Sequence, residues 1–135
     1  MTMKDRWEYL PDECKCEIFN LVYCHIENGY DEIGDDILED VCRLRPELPA
    51  EVLTKIENGK IYRGDVKEGR CPKQSTSWTA SLKVAEWFSN RFARHNSVVW
   101  CGKIDPGNIV AYITKRDEDE IVVKRGTVTD ILQVP

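Results

Sequence analysis

Three short stretches of this chain carry side chains that could do chemistry, and each lies where an extended pattern stops. Asp117-Glu118-Asp119-Glu120 runs straight into the β-branched Ile121-Val122-Val123. Successive side chains of an extended chain alternate faces, so Glu118 and Glu120 are expected on one face and Asp117 and Asp119 on the other. Neighbouring carboxylates repel, so at least one is expected to titrate above its free value, and such acids suit a site where positive charge develops or a proton must be removed. Upstream, Arg63 of Tyr62-Arg63-Gly64-Asp65 offers a planar, permanently charged fork for anionic oxygens. Gln74-Ser75-Thr76-Ser77 offers three consecutive hydroxyls. Each stretch alone has a plainer explanation: a solvated acidic turn, an Arg63–Asp65 pair closing a strand, and a polar cap for the next helix.

The elements that must position these groups fall in two parts. Residues 1–58 read as helical. Pro11-Asp12-Glu13 makes a helix start, Ile18, Leu21, Val22 and His25 recur at helical spacing, and Asn28-Gly29 stops the pattern. A second helix is expected over about 35–44, with Ile37, Leu38, Val41 and Cys42 on one side, and a third over about 49–57. From Lys60 the period becomes extended. A strand over 61–66 is followed by a loop at 67–73, a short segment at 75–78, and a helix at 80–92 whose apolar side holds Leu82, Ala85, Trp87, Phe88 and Phe92. Ser81 or Thr79 can cap that helix. Extended runs follow at 97–104, 109–113, 120–123 and 128–134. Helices first and strands later imply an α+β fold. Trp78, Trp87 and Phe88 read more simply as core than as stacking surfaces for a ligand, and Arg91 and Arg94 are cations near a helix end.

The 135 residues fit one domain, 1–135, and 41% hydrophobic content is globular rather than disordered. The formal charge of −5 argues against general nucleic-acid binding. It is unevenly spread: residues 1–58 hold 6 basic and 15 acidic side chains, whereas 59–135 hold 13 and 9. The β-rich part is therefore the one suited to an anion. Six cysteines without a CxxC pair or zinc-finger spacing give no expected metal site, and Cys24, Cys42 and Cys101 are expected as reduced core residues. No run approaches the roughly 18 apolar residues of a membrane span. The polar start lacks a signal-peptide core, so a cytoplasmic protein with no membrane partner is expected unless a leader was removed before this numbering begins.

In order and spacing the three stretches resemble the signature of the mono-ADP-ribosyltransferases of the arginine-serine-glutamate class, whose compact members include bacterial toxins and bacteriophage proteins. The matching pieces are Tyr62-Arg63-Gly64, Ser75-Thr76-Ser77, and Glu118-Asp119-Glu120 followed by Ile121-Val122-Val123. The resemblance covers about 61–134 and implies a split β-sandwich with a cleft between two sheets, preceded by helices. It also implies NAD as substrate, cleaved at its nicotinamide–ribose bond, with ADP-ribose passed to a protein side chain. Glu120 would be the catalytic acid that holds the ribose. Ser75 would bond Glu120 and the ribose, and Glu118 would engage the acceptor, which an ExE pattern implies is arginine. Arg63, Gly64, Ser75, Thr76 and Ser77 would bind NAD, with Gly64 admitting the flat carboxamide. The loop ahead of the acids, about 114–117, is shorter than in the toxins, which leaves the acceptor open. Three readings stand at this point: protein ADP-ribosylation, NAD hydrolysis, and a catalytically silent binding module of the same fold.

Overall fold

Helix α1, Asp12–Tyr23, begins just after Pro11 with Asp12 and Glu13 in its first turn, where carboxylates meet the positive end of the helix dipole. The computed structural model describes residues 6–23, 33–56, 59–66, 71–92, 96–114 and 119–135. The Asn28-Gly29 stop expected for this helix lies outside them. Helix α2, Asp35–Leu44, buries Ile37, Leu38 and Val41 and ends at an extended Arg45, as the proline that follows requires. Helix α3, Ala50–Lys55, is shorter than expected.

Six strands follow: β1 Lys60–Val66, β2 Ser77–Thr79, β3 Ser97–Lys103, β4 Ile109–Ile113, β5 Glu120–Val123 and β6 Thr129–Gln133. Helix α4, Leu82–Phe92, lies between β2 and β3 in the chain, and Ser81 Oγ caps it by accepting from the Val84 N–H. The strands form one antiparallel sheet in the order β4-β5-β2-β1-β3-β6. The architecture is α+β, with four α-helices among the described residues.

Where the resemblance implies two sheets, hydrogen bonding runs through all six strands, and the division shrinks to one junction. β1 and β3 are paired along all seven residues of each, but β1 meets β2 at a single register pair, Tyr62 opposite Thr79. The two three-stranded halves join there.

Two apolar clusters hold this arrangement. The first packs Phe19, Ile37, Leu38 and Val41 of the helices against Val110, Ala111, Ile113 and Val122 of β4 and β5. Alternation sends the neighbouring Ile121 and Val123 into the second, with Ile61 of β1, Trp78 of β2 and Val128 ahead of β6. Trp78 is thus core. Trp87, expected in the core as well, is 54% exposed and carries Arg91 over its ring at 5.1 Å. Cys42 and Cys101 are half-buried rather than buried, and Cys24 lies outside the described residues.

Gly64 shows why α4 can lie so close to β1. A Cβ at this position would overlap the Ala85 carbonyl oxygen and stand 2.7 Å from the Ser89 backbone nitrogen. The space expected for a ligand's carboxamide is filled by the helix, so the missing side chain serves packing. No helix of the described residues is long and apolar enough to cross a membrane.

Candidate active site

Directly opposed residues of antiparallel strands share a face, so the registers can be read across the sheet. Tyr62 pairs with Thr79, Thr79 with Glu120, and Glu120 with Ile113. Ser77, two residues before Thr79, lies on that same face opposite Val122. The strand beside Glu120 is therefore Ser77-Trp78-Thr79 rather than the expected Ser75–Trp78 segment. Thr79 belongs to the row and was missed.

Arg63 stands where β1 and β2 part. Its Nη1 donates to the Ser77 carbonyl oxygen at 2.7 Å, spanning the junction that backbone pairing leaves. Its Nε donates to Asp65 Oδ2 at 3.1 Å. The plain Arg63–Asp65 pair is thus real, and it fixes the guanidinium rather than removing it from the junction.

The hydroxyls divide into two kinds. Ser75 is fully buried, and its Oγ has no hydrogen-bond partner among the described residues, so the expected bond to Glu120 is absent. Its carbonyl oxygen accepts from Trp78 Nε1 at 3.2 Å. Thr76 and Ser77 instead meet Tyr23, the last residue of α1: Tyr23 OH lies 2.8 Å from Thr76 Oγ1 and 2.5 Å from Ser77 Oγ. Thr76 also accepts through its carbonyl from the Val123 N–H at 2.9 Å, which extends the β2–β5 ladder upstream.

Tyr23 senses the rest of the site. Burial pushes its hydroxyl up to about 12, and the charge of Glu120 pushes the same way, against the hydrogen bonds from Ser77 and Thr76 and the charge of Arg63. Helix α1 therefore brings a phenol to the place where β1, β2 and β5 present an arginine, a serine and a glutamate. A tyrosine four residues after Phe19 on an apolar helix face was the available signal, since a buried phenol needs a partner for its polar tip.

The acid run departs from the extended geometry expected of it. Asp119 has φ 45°, a left-handed conformation, so strand alternation begins only at Glu120. Its carboxylate accepts from Tyr112 OH at 2.6 Å and Lys55 Nζ at 2.8 Å. Its carboxyl is held below the usual value by the Lys55 bond first and the Tyr112 bond second, against burial, rather than raised by its neighbours. Its carbonyl accepts from the Ala80 N–H at 3.3 Å, tying the start of β5 to the end of β2. Glu118 and Arg94 lie outside the described residues. Among those described, no cluster of His, Cys, Asp and Glu could hold a metal ion.

The chain matches no family model, and neither a curated protein nor a solved structure matches it significantly.

Proposed function

We propose that this protein is an NAD-dependent mono-ADP-ribosyltransferase that passes ADP-ribose to a protein side chain, arginine being the acceptor implied by the Glu118-Asp119-Glu120 pattern. One observation carries the reading. The three residue types of the signature, distant in the chain, come from adjacent strands in the order β5-β2-β1, with Glu120 and Ser77 on one face and Arg63, which alternates with Tyr62 and so leaves β1 on the other face, bonded to the Ser77 carbonyl between them. The buried hydroxyl of Ser75, which has no partner among the described residues, is a second feature in keeping with a polar ligand at this junction. On this reading the weak β2–β1 junction corresponds to the division between the two halves of the family's sandwich.

The chemistry asked of these groups is limited. Breaking the bond between nicotinamide and ribose leaves the electron pair on nicotinamide and positive charge on the sugar, an oxocarbenium-like transition state. Glu120 stabilises that charge more than it stabilises the ground state, and only such a difference accelerates the step. Arg63 turns its fixed positive charge toward phosphate or ribose oxygens, and Ser77 and Thr79 supply hydroxyls beside the carboxylate. The acceptor nitrogen then bonds to the ribose carbon and loses its proton to a nearby base, the role the signature gives to Glu118.

Incubation with NAD labelled in its adenosine half, alone and with a cell lysate, tests the assignment. Free nicotinamide with labelled arginine on protein is the expected result. Free ADP-ribose with unlabelled protein would make the enzyme a glycohydrolase, and the absence of nicotinamide release would overturn the enzymatic reading. Glu120→Gln is expected to lower nicotinamide release by about two or more powers of ten, as loss of a transition-state electrostatic partner does.

A further inference from the structure

The hydroxyl of Tyr23 is a buried polar group that the proposed reaction does not use. Its ring belongs to the first apolar cluster and stacks on Phe19 at a centroid distance of 5.3 Å, a place where phenylalanine would pack equally well. The hydroxyl itself reaches more than fifty positions along the chain, to Thr76 and Ser77. Resting on the reading above, we propose that Tyr23 is a positioning residue: its hydroxyl holds Ser77 as a donor on the Glu120 side of β2, so that the N-terminal helix completes the dinucleotide site.

The direction of the proton chain follows from counting. A phenol has one proton, so of its two hydroxyl neighbours one donates to it and the other accepts from it. Glu120, an acceptor when ionised, favours hydroxyl protons turned toward its side. That orders the chain as Thr76 donating to Tyr23, Tyr23 donating to Ser77, and Ser77 left with its own proton for the carboxylate or a ribose oxygen. Thr76, the far end of the chain, is fixed through its carbonyl by Val123 of β5. Ser77 is gripped twice, at its side chain by Tyr23 and at its carbonyl by Arg63. Because burial and the charge of Glu120 hold the phenol up to about 12, Tyr23 stays protonated and acts as a fixed donor near neutral pH.

Steady-state nicotinamide release by the full chain and three variants tests this: Tyr23→Phe, Ser77→Ala and the double substitution. Tyr23→Phe is expected to lower kcat about ten-fold, the size of one hydrogen bond in the transition state, with the KM for NAD changed by less than about two-fold. Ser77→Ala is expected to do the same, and the double variant to be no worse than either single one, because both remove one chain. A folded Tyr23→Phe with wild-type kcat, or losses that multiply in the double variant, would overturn the role. Were Tyr23→Phe to lose its near-ultraviolet circular dichroism, Ser77→Ala alone decides, and wild-type kcat there overturns it. A wild-type chain that releases no nicotinamide is a separate result, and it removes the enzymatic reading together with this role.

Discussion

Two polar clusters in this molecule use the same kinds of side chain to opposite ends. Between α1 and α2, Asp40 accepts from Trp7 Nε1 at 2.9 Å, Lys15 Nζ at 3.0 Å and Arg43 Nη2 at 2.6 Å, and Lys15 is itself shared with Asp12. The carboxylate sits at the centre, and its donors come from two helices and the turn before them. Such a cluster closes on itself and fastens the helices. At the β5-β2-β1 junction no single atom is central: Arg63, Ser77, Tyr23 and Glu120 come from three strands and a helix, and the buried hydroxyl of Ser75 has no partner among the described residues. The first arrangement is complete in the folded chain alone, while the second gathers opposite charges and hydroxyls where the sheet is weakest.

Substitutions should separate the two regions cleanly. Glu120→Gln, the largest expected effect, removes turnover and leaves the thermal midpoint within a few degrees, as a half-buried strand-end residue allows. Equal loss of stability would move Glu120 into the fastening class. Next comes Gly64→Ala, which forces α4 away from β1 and is expected to cost about 3 kcal/mol in denaturant unfolding. Wild-type stability there would show that the helix yields easily. Asp40→Asn ranks third, at about 2 kcal/mol, with nicotinamide release per folded molecule unchanged.

The Asp40 carboxyl also sets a pH dependence. The Lys15 hydrogen bond first, then that of Arg43, hold it at about 2, against desolvation and with help from Trp7. A carboxyl depressed in the folded state contributes stability fully above its ordinary value near 3.8, and this is lost as pH falls through about 2. Wild type should therefore lose stability more steeply than Asp40→Asn between those limits. Parallel curves would mean the Asp40 network contributes nothing.

How much of this was legible depended on the range of the forces. Helix α2 was readable to the residue, since Ile37, Leu38 and Val41 carry a local period and Pro46 a local stop. β2 was expected to start two residues too early and to end one too early, because three residues carry no period and only pairing with Val122 and Glu120 selects Ser77–Thr79. Glu120 could be named because it ends the acidic run, and Arg63 because it stands between an aromatic residue and a glycine, although it proves to lie in the middle of β1 rather than at a strand end; their meeting through β2 could not, being a matter of strand order. Gly64 pointed toward a ligand until α4 occupied its open side. Ala85 and Ser89, small residues four apart in that helix, were the sign that a backbone packs there.

Asp119 tests where the boundary between fastening and function lies. It adjoins Glu120 in the chain, yet its carboxylate is engaged like that of Asp40, by Lys55 from the end of α3 and Tyr112 from β4. Its left-handed backbone is one that aspartate, asparagine and glycine tolerate, so substitutions can remove the bonds without straining the turn. Asp119→Gly is expected to lower kcat about five-fold by loosening the first residue of β5, and Asp119→Asn about two-fold, since the amide oxygen still accepts from Tyr112. Both should leave the KM for NAD unchanged, because neither residue is asked to touch the dinucleotide. If Asp119→Gly turns over NAD like wild type and only melts earlier, this clasp belongs with the Asp40 latch, and the orientation of Glu120 does not depend on it.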